Sequence, residues 1–242
     1  MRPSLVGVGV GPGDPELLTL KALSALRGAD RVLAPTMAAD STGRAESIVR
    51  QAAPDVAVER VVFAIVPDQE ARRAAHAAAA ERVVACLDAG QRVCFVTLGD
   101  PNVYSTFHHL AGAVRALRPG TVVETVPGIM AFQDLAARSG TVVLDGSERL
   151  HLVSAVEGAD VLDVPLADPD AAVVVYKGGR HLPELAERLR AADRLDGAVL
   201  GELLGLPGQR VAALADAAEV PGSYLASILV PPRRAGAPEA RR

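Results

Sequence analysis

The chain has 242 residues, 50% of them hydrophobic but only 3% aromatic, no tryptophan, and a formal net charge of -4. That length can bury a substantial core, as one large domain or two small ones. The Ala-, Val- and Leu-heavy profile suits an α/β protein better than a β-sandwich, and the acidic balance leaves no whole-chain footprint for nucleic acid. Cys86 and Cys94 lack metal-ligand spacing and read as buried thiols in a reducing compartment, so no metal site is expected. There is no charged leader before an apolar core, and no apolar run of about 18 residues; the expectation is a soluble cytoplasmic protein without a membrane partner.

The first predicted strand, Leu5 to Val8, runs into Gly9-Val10-Gly11-Pro12-Gly13-Asp14-Pro15-Glu16. Glycines here permit close backbone approach to a ligand, and the prolines stiffen the turn. Two phosphate-binding patterns fail by spacing. Counted from Gly7 or from Gly9, the third glycine of G-x-G-x-x-G falls on Pro12 or Asp14, and Gly13 is followed by Asp14 where a P-loop needs lysine. A ligand loop remains, at the carboxyl end of a first strand, where open α/β sheets bind small molecules. Asp14 is expected to cap a helix entered through Pro15, and apolar spacing predicts that helix over Leu17 to Leu26.

Further along, Arg31 to Ala34 reads as a short strand, Ala45 to Ala52 as a helix, Val56 to Ile65 as a strand and Gln69 to Ala89 as a long helix. His76 on that helix reads as a surface residue. Arg92 to Leu98 is the clearest buried strand; it breaks into Gly99-Asp100-Pro101-Asn102-Val103-Tyr104-Ser105-Thr106 before a helix to Leu117. Two strand-loop-helix junctions of this kind at one end of a parallel sheet can converge on one ligand. Arg118-Pro119-Gly120 punctuates the chain and predicts a division into 1–118 and 119–230, with a disordered tail over 231–242. In the second part, Thr121 to Val126, Leu150 to Ala155, Ala171 to Tyr176, Gly197 to Leu203 and Tyr224 to Val230 read as strands, with helices over Phe132 to Arg138 and Leu182 to Ala192.

The runs from Gly9 to Thr19, Gly99-Asp100-Pro101 and Val126-Pro127-Gly128 together resemble the tetrapyrrole methylase family, in order and over nearly the whole chain. Within that family, Thr97 to Phe107, and Thr125 to Ile129 with Phe132-Gln133, are similar to the branch that methylates C20 of precorrin-2, or of its cobalt-containing counterpart, in cobalamin biosynthesis. The resemblance implies two α/β domains, the first sheet mainly parallel and the second mixed, with S-adenosylmethionine in the cleft between them, and a homodimer. It implies that Pro12 floors the cleft and that Gly99, Asp100 and Val103 hold the amino-acid end of the cofactor. Met130 and Ala131 follow at the Pro-Gly turn, Lys177 after the strand tyrosine, and Leu204 near the adenine. Three departures matter: Met130 stands where a small hydroxyl residue is common in the family, Lys177 where some relatives have methionine and Leu204 where some have glycine. Such changes leave backbone contacts possible and put side-chain contacts in doubt.

Tyr104, Ser105 and Thr106 are placed along the ligand side of the same loop. The substrate class implied is a ring bearing many carboxylates, which calls for scattered cations; Arg44 and Arg180 are the candidates, with Lys177 beside them. His108 and His109 point in different directions from one helix, so a single one can face a substrate, and a structural role for both is the simpler reading. Asp100 reads either as an acceptor for the cofactor's ammonium group or as a helix cap. No Ser-His-Asp or Cys-His arrangement is visible, and attack by an electron-rich ring carbon requires none; no catalytic acid or base is assigned. Other readings stay open: another corrinoid position, an RNA or protein substrate, or a ligand-binding relative without turnover.

Overall fold

All six residues of β1 (Ser4–Gly9) are buried, the pattern of a strand covered on both faces in a parallel sheet. A computed structural model describes residues 2–38, 40–63 and 69–234 of the protein, and the chain divides into two compact units, Met1–Met130 and Ala131–Arg242.

In the first unit, β1 is followed by α1 (Leu20–Arg27), β2 (Arg31–Thr36), α2 (Arg44–Ala52), β3 (Val58–Val62), α3 (Gln69–Asp88), β4 (Arg92–Thr97), α4 (Phe107–Leu117) and β5 (Val122–Val126). The sheet order is β3-β2-β4-β1-β5, and every pairing is parallel. Every strand therefore ends at the same edge, which gathers the loops after β1, β4 and β5. One apolar layer sets Val6 and Val8 against α1 and α2; the other sets Leu5 and Phe95 against α3 and α4. Gly7 is required by this packing, since a Cβ there would lie 2.5 Å from the Phe107 ring.

Two expectations change here. Asp14 Oδ1 accepts from Glu16 N at 2.9 Å and caps only a 3-10 turn, Pro15–Leu17. The helix proper starts at Leu20, where Thr19 Oγ1 accepts from Ala22 N at 3.1 Å. The Arg118-Pro119-Gly120 turn links α4 to β5, and β5 pairs with β1. It therefore lies inside the first unit, and the division falls after Met130. Residues 64 and 65 of the predicted third strand lie outside the described residues.

The second unit comprises α5 (Ala131–Ser139), β6 (Arg149–Ser154), β7 (Ala171–Tyr176), α6 (Leu182–Ala191), β8 (Val199–Glu202), β9 (Arg210–Ala213) and β10 (Ala226–Val230). Its sheet order is β6-β7-β10-β8-β9. The β6–β7 pair is parallel, while β10 runs antiparallel to both β7 and β8 and β9 runs antiparallel to β8. So the first sheet is parallel and the second mixed. Strand β9 is too short and too exposed to leave an apolar signature in the sequence.

Buried Arg194 ties this unit together, donating to the carbonyls of Ala171 at 2.7 Å and Pro231 at 2.9 Å. Burial lowers its pKa from the usual arginine value. The predicted tail begins as ordered chain: Arg233 donates to Ala192 O at 2.6 Å, and Arg234 forms a two-pronged pair with Glu148 at 2.8 and 2.7 Å. Residues 235–242 lie outside the described residues.

Candidate functional site

The loops leaving β1, β4 and β5 touch through glycine backbones. Val10 N donates to Thr97 O at 3.0 Å and Gly99 N to Gly11 O at 2.8 Å. A Cβ on Gly9 would stand 2.4 Å from Gly99 O and 2.7 Å from Gly128 N; one on Gly128 would stand 2.1 Å from Gly99 O. No side chain fits at either position. Gly11 and Gly99 also take positive φ, 85° and 63°, which glycine adopts without steric cost.

Asp100 joins two of these loops. Its Oδ1 accepts from Asn102 N at 2.8 Å and its Oδ2 from Gly128 N at 3.1 Å. Asn102 Nδ2 then donates to Thr125 Oγ1 at 3.2 Å. Asp100 is therefore not a helix cap, because α4 begins only at Phe107. The start of α4 is held by Ser105: buried Ser105 Oγ accepts from Phe107 N at 3.1 Å and lies 3.0 Å from Thr97 Oγ1. That fixes Ser105 in the interior, a departure from its expected place along the ligand side. Thr106, at the cap position itself, makes no capping bond. His108 Nδ1 lies 2.7 Å from Ser105 O, and the His108 and His109 rings lie 3.8 Å apart. His76 is half-buried, with its ring 3.9 Å from that of Phe63, so it is not the free surface residue expected.

Pro12 is buried in the β1 loop, Val103 half-buried and Tyr104 45% exposed. Partial burial pushes the Tyr104 phenol above its usual value. Arg44 opens α2, after the loop leaving β2, at the same sheet edge. It is exposed and makes no hydrogen bond or ion pair among the described residues.

In the second unit, Ala131 opens α5, and Phe132 N donates to Tyr176 Oη at 3.2 Å. Tyr176 thus satisfies one of the orphan amides of that helix. Sequence reasoning used it only as a landmark for Lys177. Leu204 is 4% exposed, and its side chain packs over Gly201. Four non-glycine residues among those described have positive φ: Tyr104 (46°), Lys177 (59°), Asp193 (54°) and Leu203 (49°). Two are predicted site residues and a third precedes Leu204. Such conformations cost about 1–3 kcal/mol and cluster where function requires them.

The chemistry of the first-unit loops favours a cation. Residues 9–14, 97–106 and 126–130 contain no Lys or Arg and two aspartates, Asp14 and Asp100. A phosphate would find no side-chain cation there, and two carboxylates stand in the loops instead. Among the described residues no group of three His, Cys, Asp or Glu side chains could hold a metal ion, and no helix is long and apolar enough to cross a membrane.

The chain is a two-unit α/β protein, a parallel unit with glycine-joined loops followed by a mixed-sheet unit. Residues 4–219 match the family Tetrapyrrole (Corrin/Porphyrin) Methylases, and the chain belongs to it. It is 34% identical over 236 residues to the precorrin-2 C(20)-methyltransferase of Sinorhizobium sp., covering 94% of each chain. It is 27% identical over 211 residues to the cobalt-precorrin-2 C(20)-methyltransferase of Salmonella typhimurium, covering 87% of each. The fold is shared with the crystal structure of a cobalt precorrin-4 methyltransferase: TM-score 0.69 at 20% identity, over 94% of each chain.

Proposed function

We propose that the chain is an S-adenosylmethionine-dependent C-methyltransferase that adds a methyl group to C20 of precorrin-2, or of its cobalt-containing form, giving the trimethylated intermediate of cobalamin biosynthesis. The observation that carries this reading is the end-to-end similarity to the Sinorhizobium enzyme of that name. The cation-suited loops after β1, β4 and β5 support it. In this reading Pro12, Gly99, Asp100 and Val103, with Tyr104 and Thr106 beside them, hold the cofactor. Met130, Ala131 and Leu204 complete the contacts, together with the backbone of Lys177. Met130 and Leu204 act through their backbones, so their departures from the family pattern are tolerated.

When bound, the cofactor supplies a methyl group on a positively charged sulfur. The residues of this chain orient and desolvate. The glycine-packed loops give a backbone floor with few degrees of freedom, which is what a near-attack geometry of about 3–3.5 Å demands. Asp100, already braced on Gly128 and Asn102, keeps acceptor capacity for an ammonium group without having to reorganise. The ring carbon would serve as the nucleophile toward the methyl group that the cofactor would supply, so this chain need offer no nucleophile of its own, only orientation and exclusion of water. No residue is assigned as catalytic acid or base. Arg44 and Arg180 supply charge for the carboxylates of the ring.

A homodimer in the cytoplasm belongs to the same reading. Exposed Val142 and Leu144, in the segment before β6, and Leu150 on that edge strand support a partner surface on the second unit.

The test is anaerobic incubation with methyl-labelled S-adenosylmethionine and either metal-free or cobalt-loaded dimethylated substrate, followed by mass and NMR assignment. One new methyl at C20 is expected. A methyl at another carbon, or none with either substrate, would overturn the reading.

A further inference from the structure

Strand β7 ends at Tyr176, and the chain turns through Lys177-Gly178-Gly179 into the 3-10 turn Gly179–His181. Glycine is required at 179 because a Cβ there would lie 1.8 Å from Ser223 O, and Gly222 N donates to Gly179 O at 2.7 Å. Together with Val156, these two segments enclose a cavity of about 300 Å³ lined by Val156, Lys177, Arg180, Pro221, Gly222 and Tyr224.

The walls of this cavity differ in character. Val156, Pro221 and Tyr224 offer apolar surface, with Val156 and Tyr224 half exposed. Lys177 and Arg180 offer two cations, and no lining residue is acidic. The Glu202 carboxylate lies behind Gly222, held by Ser223 N at 2.6 Å. Arginines elsewhere in this protein meet carboxylates: Arg27 meets Asp55, Arg31 meets Glu59, Arg60 meets Glu46 and Arg149 meets Asp168. Arg180, exposed at the cavity, makes no hydrogen bond or ion pair among the described residues. Lys177 is held beside it in the left-handed region, φ 59°.

We infer that this cavity is the subsite for one carboxylate-bearing side chain of the ring substrate, with Arg180 as a specificity-determining residue. The short methylene stem of an acetate or propionate arm fits the Val156, Pro221 and Tyr224 side, and its carboxylate meets the guanidinium fork of Arg180 with Lys177 as second cation. Size agrees. Pockets for whole drug-sized ligands run to about 300–1,000 Å³, so a cavity at the lower limit takes an arm and leaves the macrocycle outside. Charge distinguishes the ring from the cofactor. The single carboxylate of S-adenosylmethionine has an ammonium group on the adjacent carbon, which two cations repel; the arms of the ring have none. The inference rests on the proposed action on a carboxylate-bearing tetrapyrrole.

The test measures binding. Arg180→Gln and Arg180→Lys are compared with the unaltered protein for uroporphyrin, as a carboxylate-bearing ring, by fluorescence titration, and for S-adenosylhomocysteine by calorimetry. Arg180→Gln is expected to weaken the porphyrin about tenfold, Arg180→Lys to recover part of that loss, and neither to change S-adenosylhomocysteine affinity. Loss of S-adenosylhomocysteine affinity with porphyrin binding intact would assign the cavity to the cofactor and overturn the inference, as would no change in either. Equal weakening of both would also overturn it. If the unaltered protein binds no porphyrin, the tetrapyrrole reading itself fails. Binding that ignores Arg180 sinks the subsite alone.

Discussion

Asp100 Oδ2 accepts the backbone amide of Gly128 at 3.1 Å, across twenty-eight positions of sequence. With Asn102 N on the other oxygen at 2.8 Å, the carboxylate is a brace between the β4 and β5 loops before it is anything else. This gives one side chain two tasks: it fixes the shape of the glycine floor, and it presents negative charge toward whatever lies on that floor.

The two tasks separate by substitution. Asp100→Asn keeps an acceptor for one amide and removes the charge; Asp100→Ala removes both. Calorimetry with S-adenosylhomocysteine is expected to show about tenfold weaker binding for Asp100→Asn and a larger loss for Asp100→Ala. The melting temperature should fall for both variants and further for alanine, because asparagine turns its NH2 group against one of the two backbone donors while alanine leaves both without a partner. Unchanged affinity in both variants would remove Asp100 from the cofactor site.

Glycine substitutions offer a paired comparison. Gly128→Ala puts a Cβ 2.1 Å from Gly99 O, backbone against backbone, so the loops must separate. Overpacking of this sort costs about 1–3 kcal/mol, and here it also displaces the floor of the proposed site. Gly112, inside α4, has nothing within 4 Å of the place an added Cβ would take; Gly112→Ala should stabilise the helix by about 0.5–1 kcal/mol. Urea unfolding and methyl-transfer rates should therefore move down together for Gly128→Ala, while Gly112→Ala gains stability at unchanged rate.

Which features the sequence disclosed follows from how local their causes are. The strands with both faces buried, β1, β4 and β7, announce themselves as unbroken apolar runs. The glycine and Gly-Asp-Pro turns stand out because few residues tolerate their geometry. The boundary did not, because Arg118-Pro119-Gly120 is a strong turn signal wherever it occurs, and only the pairing of β5 with β1 shows that the turn is internal. The roles of Ser105 and Tyr176 depend on partners distant in sequence, Thr97 and Phe132, and leave no trace in spacing. Arg233 and Arg234 read as tail for the same reason: their partners Ala192 and Glu148 lie far upstream.

Arg44 tests the substrate side of the first unit. It is exposed at the sheet edge that carries the glycine loops and makes no ion pair among the described residues. Arg44→Gln should raise KM for the ring substrate several-fold, roughly 1 kcal/mol of lost attraction at an exposed site, with kcat unchanged. A fall in kcat at constant KM would instead place Arg44 at the reacting centre.

The last prediction concerns acid stability. Glu46 on α2 is fully buried, and its two carboxylate oxygens take Arg50 Nε and Arg60 Nε, each at 2.8 Å. Burial alone would raise its pKa, but the hydrogen bonds from Arg60 and Arg50 and their charges outweigh it and hold the carboxyl below its ordinary value. A depressed folded-state pKa contributes stability that is complete above the unfolded value, about 4.3 for glutamate, and is lost as pH falls through the lower folded value. Glu46→Gln leaves two arginines without their shared partner, and loss of one member of a buried pair costs about 3–5 kcal/mol; the half-exposed guanidiniums favour the lower figure. Urea titrations should therefore show a gap of about 3 kcal/mol between Glu46→Gln and the unaltered protein at pH 7, closing progressively below about pH 4 as the native carboxylate protonates. A gap independent of pH would mean that the paired acceptor oxygens of this side chain, and not its charge, hold α2 against β3.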